Sequence, residues 1–317
     1  LLFLWFITVK VEKEQRDIWL LGLTLAAVSP LAVLFSRKIW AQDVLPLFSF
    51  LVIWSNANRH KGWGAFIWGL TGALIGQIHM SGFFYAAGLA VFTIIYDYKN
   101  KQMFKWGYWL PGSILGSIGL VPWILYIHSH TQPTNLAVNH IFGFNFYIYW
   151  LLDGHGLNTM YSLQKYFWDF IKEPYLGGHA TYLIAVLNIA LACTGFYTIK
   201  RIWEYLKIIV HYIKQKSLFV KLTSNLSTTN FYLLSILLGL GIIMNFSGVF
   251  IPQHYLIVAF PFTYIFMAKI FQHKRKLLVG IIFAQLLLTV SFMVYIHTHA
   301  GAKDGDYGVT YHEQMKN

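Results

Sequence analysis

Long uncharged apolar runs alternate with short basic clusters along the whole chain. Ile18–Phe35, Gly107–Ile127, Thr181–Thr198, Phe231–Phe250 and Leu277–Ile296 carry no charge. Each is roughly 17–22 residues long, enough to cross a bilayer core as a helix. Shorter apolar runs at Leu1–Thr8, Val44–Trp54 and Tyr255–Ala268 read as further or partial spans. Residues 62–96 would be far too long for one crossing, roughly 52 Å against a core of about 30 Å. The polar stretch Gln77–Gly82 splits that run into spans Trp63–Gly76 and Phe83–Ile95. The pattern predicts an all-α protein, a polytopic transmembrane helical bundle.

Placing alternate connections on alternate sides gathers 18 of the 24 Lys and Arg residues on one face. These are the clusters Lys10/Lys13/Arg16, Arg59/Lys61, Lys99/Lys101/Lys105, the six from Lys200 to Lys221, and Lys269/Lys274/Arg275/Lys276. By the positive-inside rule that face is cytoplasmic. Arg37, Lys38, Lys165, Lys172, Lys303 and Lys316 then lie outside. Reading residues 62–96 as one span would place the Lys99 and Lys200 clusters on opposite faces and destroy the asymmetry.

Composition agrees with the pattern: 57% hydrophobic, 18% aromatic and 11% charged residues among 317, with a mean hydropathy of +0.53. The net charge of +12 sits in loops between spans, where anionic lipid headgroups account for it, so nucleic acid is not an expected partner and membrane lipids are. Cys193 is the single cysteine and falls inside a span, which leaves no disulfide framework and no thiolate metal site.

Two extramembrane pieces stand out. Residues 200–230 form a basic cytoplasmic connection bearing Trp203, Tyr205 and Tyr212, expected to lie on the membrane surface. The external piece His128–His179 contains Met160, Leu163, Phe167, Phe170 and Ile171 at helical spacing, with Ser162, Gln164, Lys165 and Asp169 opposite. An external amphipathic interface helix is expected there, capped by Asn158 or Thr159 and ended by Pro174 and Gly177–Gly178.

Span interiors are almost free of ionisable groups; Asn188, Asn245 and Gln285 are the polar exceptions. That argues against an ion-coupled transporter, which needs carboxylates or histidines near the midplane. Ten of the 13 histidines, His155 among them, fall on the external side or at external span ends. No histidine is expected at mid-span, where a haem ligand would sit. The pairs His128/His130 and His297/His299 are weak as metal ligands. Polar groups gather instead in three external turns: Ser36–Asp43, Gln77–Gly82 and Pro252–Tyr255. Arg37, His79 and His254 in these turns suit a phosphate, since Arg offers a planar fork and histidine a charge-assisted donor. Arg37 and Lys38 also serve as interfacial anchors, and the histidines as helix caps.

These turns resemble those of the GT-C membrane glycosyltransferases, in the bacterial branch related to protein O-mannosyltransferases and lipid A aminoarabinose transferases. The similarity rests on four pieces in order: Val28-Ser29-Pro30 with Phe35–Gln42, then Gln77–Ser81, then His254-Tyr255 before Phe260-Pro261, and the tail Gly305–Gly308. It implies a multi-pass protein of the bacterial inner membrane with an outward-facing site. The implied reaction moves a sugar from a polyprenyl-phosphate donor to a lipid, glycan or protein acceptor. In this family the catalytic carboxylate lies in the first external loop, expected upstream of Leu1. Within the chain Asp43, near Arg37 and suited to capping, and Asp153 are the external-side alternatives. No cofactor is implied with certainty, and a divalent metal is left open. The resemblance divides the chain into a transmembrane glycosyltransferase module over 1–199 that lacks its N-terminal part, the basic connection 200–230, and C-terminal spans with an external tail over 231–317. A lipid or polysaccharide transporter or flippase and a non-catalytic membrane subunit are the alternative functions.

Overall fold

The computed structural model describes residues 1–37, 40–130, 143–215, 226–303 and 308–309. Its α-helices are α1 (Leu2–Lys10), α2 (Arg16–Val28), α3 (Pro30–Phe35), α4 (Leu45–Asn56), α5 (Gly62–Ile78), α6 (Met80–Lys99), α7 (Trp106–Ser117), α8 (Val121–Ser129), α9 (Asn145–Gly154), α10 (Thr159–Leu163), α11 (Phe167–Phe170), α12 (Leu183–Lys214), α13 (Thr228–Leu234), α14 (Gly241–Phe246), α15 (Phe262–Ile270) and α16 (Arg275–Thr298). Two short antiparallel hairpins, β1–β2 (Tyr175–Leu176 with His179–Ala180) and β3–β4 (Gly301–Ala302 with Gly308–Val309), are the sheet structure among the described residues.

Five helical stretches are long and apolar enough to cross a membrane: Met80–Lys99, Trp106–Ser129, Leu183–Lys214, Thr228–Phe246 and Arg275–Thr298. Several turn apolar side chains outward. Ile114 is 63% exposed, Leu125 63%, Phe196 72% and Phe283 60%, the reverse of a helix designed for water.

The chain divides into two compact units. The first comprises Leu1–Asp17, Trp40–Ile148 and Ile208–Phe262. Its centre is the α5–α6 hairpin, folded back at His79 so that Gly72 lies against Ala86. At the open end Arg59 grips Asp97 through two hydrogen bonds, Nε to Oδ2 at 2.8 Å and Nη2 to Oδ1 at 2.6 Å. Along α6, Gly88 meets Gly239 and Leu240 in the π-helical turn Ser235–Leu240, and a Cβ at either glycine would overlap the facing backbone. Small residues permit this approach between membrane-type helices.

The second unit comprises Ile18–Ile39, Tyr149–Lys207 and Thr263–Asn317. The expected span Ile18–Phe35 is broken at Ser29, which is extended, because Pro30 has no N–H to continue the ladder. Thr289 on α16 donates to Val28 O at 2.6 Å, serving a carbonyl left at the break.

Several expectations are corrected. Tyr255–Ala268 is not one helix: a 3₁₀ helix over Gln253–Ala259 ends at extended Phe260, and α15 begins beyond Pro261. The 200–230 connection begins as the continuation of α12, which runs unbroken to Lys214, and its residues 216–225 lie outside the described residues. The single amphipathic helix over 160–171 is instead α10, a 3₁₀ turn Gln164–Tyr166 and α11. Gln164 at φ 52° breaks the register, and Met160 is 43% exposed while Leu163 and Phe170 are buried. Asn158 stands at the N-cap position of α10 as expected, but its carboxamide makes no capping bond and turns to Asp153 instead. Gly177 and Gly178, both at positive φ, form the β1–β2 turn that follows. Of the sequence pieces singled out, Lys38–Ile39 and Gly305–Tyr307 lie outside the described residues.

Candidate functional site

In the first unit the turns around Trp40, His79 and His254 converge. α5 ends and α6 begins on either side of His79, whose extended backbone lets one residue close the first helix and cap the second. Its Nδ1 accepts from the Ser81 N–H at 3.2 Å and lies 2.8 Å from the Ser81 hydroxyl. A nitrogen accepting an N–H bond is unprotonated, so the neutral ring carries its hydrogen on Nε2. Burial holds this imidazole below its ordinary value of 6.5.

The His79 ring is 5.6 Å from that of His254 and 4.6 Å from that of Tyr255, edge to face. Trp40 packs on His254 at 5.0 Å. Asp43 Oδ2 accepts the Trp40 N–H at 2.8 Å, a capping contact that fixes the Trp40 turn. Ser49 ties α4 to the 3₁₀ helix through Val258 O at 2.7 Å. Unmet polar groups lie in these same turns. Gln253 is 6% exposed and Gln42 7%, and both carboxamide atoms of Gln253, Gln42 Oε1 and Asp43 Oδ1 have no hydrogen-bond partner among the described residues. Such groups are costly to bury. Thus His79 meets His254 and Tyr255, Trp40 packs on His254, and Asp43 and Gln253 belong to the same turns as Trp40 and His254. Arg37 belongs to the second unit, where it is exposed at the end of α3 and its guanidinium makes no hydrogen bond or ion pair among the described residues.

The second unit holds a separate polar cluster. Asp153 ends α9, 3% exposed. Its Oδ1 receives Tyr264 Oη at 2.9 Å and Asn158 Nδ2 at 3.1 Å, with Ser29 3.0 Å from the same tyrosine hydroxyl. His155 follows, expected outside the spans but 2% exposed between Thr194 and Thr198 of α12, 2.8 and 3.1 Å away. Gln285 of α16 donates to Gly154 O at 2.9 Å. Thr194 lies roughly 16 Å along α12 and Gln285 roughly 15 Å along α16. The turn Asp153–Asn158 therefore reaches the middle of the apolar helices rather than remaining at their ends, correcting the view that every histidine avoids mid-span. The run Phe144–Leu152, uncharged and aromatic, was the available signal for that entry.

Among the described residues no three His, Cys, Asp or Glu side chains assemble as a metal cluster. Comparison with family models, curated proteins and solved structures returns no match.

Proposed function

We propose that this chain belongs to a membrane glycosyltransferase of the polyprenyl-phosphate-dependent class, acting at the outer face of a bacterial cell membrane. The observation that carries the reading is the meeting of His79 with His254 at the turn where uncharged α5 gives way to α6, with Gln253, one residue before His254, lacking a hydrogen-bond partner among the described residues. A lipid-phosphate leaving group needs donors placed where negative charge develops, in a site shielded from bulk water. His79 Nε2–H and the Gln253 carboxamide supply neutral donors, and a protonated imidazole strengthens the bond. Trp40, 37% exposed, offers a face for an isoprenoid or sugar ring.

The reaction is an inverting displacement at the anomeric carbon. The acceptor hydroxyl forms the new glycosidic bond, its proton passes to a carboxylate base, and the C–O bond to phosphate breaks with its electron pair leaving on the lipid phosphate. Asp43, which accepts the Trp40 N–H in the turn packed on His254 and has its other oxygen unpartnered among the described residues, is the in-chain candidate for the base. The acceptor is a lipid, glycan or protein. Sugar transfer in detergent from a radiolabelled polyprenyl-phosphate sugar, compared between native protein and His79→Ala, tests the reading.

A transporter is the second reading, favoured by Asp153, a buried carboxyl of the kind that ion-coupled carriers place among their helices. Uptake into sealed vesicles without formation of a new glycosidic bond would select it.

A further inference from the structure

We propose that Asp153 is a proton-binding site within the membrane interior, its carboxyl protonated at neutral pH and exchanging that proton through the Tyr264–Ser29 hydroxyl pair. The inference rests on the helices crossing a bilayer and is independent of the reaction catalysed.

The argument begins with what surrounds the carboxyl. Tyr264 and Asn158 are its partners, and Ser29 shares the tyrosine hydroxyl. All are neutral, and no cation pairs with Asp153 among the described residues. An isolated carboxylate in a low-dielectric interior is strongly disfavoured and is tolerated by pairing or by taking a proton. Pairing is absent, so the proton remains.

The surrounding hydrogen-bond pattern points the same way. Asn158 Oδ1 and Gln285 Oε1 are buried without a donor among the described residues, while Asn158 is 1% and Gln285 0% exposed. The cluster has more acceptors than donors, and a carboxylic acid adds one donor. Rotating the Asn158 carboxamide by half a turn would present Oδ1 to an Asp153 O–H. One side chain can then serve both protonation states, donating to the carboxylate and accepting from the acid.

The elements around the turn bring few other titratable groups. His155 lies two residues on, bonded to Thr194 and Thr198 of α12. Tyr264 is on α15, whose one charged residue is Lys269. The apolar run of α12 reaches its first charge at Lys200, and α16 carries its charges at Arg275 and Lys276, ten and nine residues before Gln285. Ser29 on the α2–α3 break and Gln285 are neutral. The hydroxyl pair gives a path for exchange: Asp153 passes its proton to Tyr264 Oη as the tyrosine hydrogen passes to Ser29 Oγ, whose own hydrogen leaves to a water or base beyond, so that each oxygen keeps its ordinary valence.

The experiment uses the full-length protein in lipid nanodiscs and dicyclohexylcarbodiimide, an apolar reagent that adds to protonated carboxyls within membranes. Peptide mass spectrometry should find the adduct on Asp153 at neutral pH, falling at least tenfold at strongly alkaline pH, and absent from Asp153→Asn. Infrared spectra of native protein carrying carbon-13 at aspartate side-chain carboxyls read the same group without any substitution or need for reagent access. They should show a protonated-carboxyl carbonyl band at neutral pH that moves on deuteration. A spectrum with ionised carboxylate bands alone would overturn the proposal. Protection of Asp153 by sodium at fixed pH would also overturn it, identifying a metal-cation site instead.

Discussion

Asp97→Ala should be among the most damaging single changes in the first unit. The substitution removes both carboxylate oxygens that hold Arg59, leaving a guanidinium whose side chain is 10% exposed with one remaining bond, to Asn56 O at 3.2 Å, and the Phe231 ring 5.2 Å away. A buried charge stripped of its partner costs about 3–5 kcal/mol. With roughly 2–4 °C per kcal/mol for a chain of this size, the melting temperature in detergent should fall by roughly 6–20 °C. Replacing both partners together, as Arg59→Met with Asp97→Leu, removes the stranded charge and should restore most of the loss, to within about 2 kcal/mol of native. The clamp lies at the open end of the α5–α6 hairpin, one helix length from His79. Thermal unfolding followed by tryptophan fluorescence, run as a double-mutant cycle, reads the coupling directly. A loss below about 1 kcal/mol for Asp97→Ala would place the pair with exposed salt bridges and refute the reasoning. Additive losses in the double variant would do so as well.

Because burial lowers the His79 value, the unfolded chain takes up a proton first as pH drops below 6.5. Stability should therefore decline between that pH and the lowered value, a slope that His79→Gln flattens in melting temperature measured against pH. A phosphate bound beside the ring favours the imidazolium, so protection by a polyprenyl phosphate should strengthen over the same fall in pH and lose that dependence in the variant. Ser81→Ala removes the hydroxyl beside Nδ1 and should cost about 0.5–1.5 kcal/mol, read by the same melts. Gly88→Leu drives a side chain into the backbone at Gly239 and Leu240 and should destabilise by about 1–3 kcal/mol. In a Cys193→Ser background, cysteines placed at Ser129 and Ser217 should react with an impermeant maleimide from opposite sides of sealed vesicles.

The long helices were legible because an uncharged run leaves few alternatives to a helix in lipid. Gly107–Ile127 and Leu277–Ile296 lie within Trp106–Ser129 and Arg275–Thr298. The split near His79 was legible from length. Interruptions inside apolar runs were not, because Ser29–Pro30 and Phe260–Pro261 leave hydropathy unchanged while removing a backbone donor. The turns at Trp40, His79 and His254 could be listed from sequence as polar islands, yet their meeting depends on how α4, α6 and the 3₁₀ helix at Gln253 pack. Asp153 was hidden for a different reason. A polar turn following a short aromatic helix reads as surface, and only the contacts of Tyr264, Thr194 and Gln285 bring it among the long helices.

Transfer of labelled sugar from a polyprenyl-phosphate donor to native membrane acceptors, assayed with purified full-length gene product, tests the central claim most directly. The account predicts formation of a glycosidic product that falls about 10²-fold in His79→Ala and His254→Ala with the fold intact. Product formed at the native rate by both variants, or no product from a folded, donor-bound protein, would contradict it.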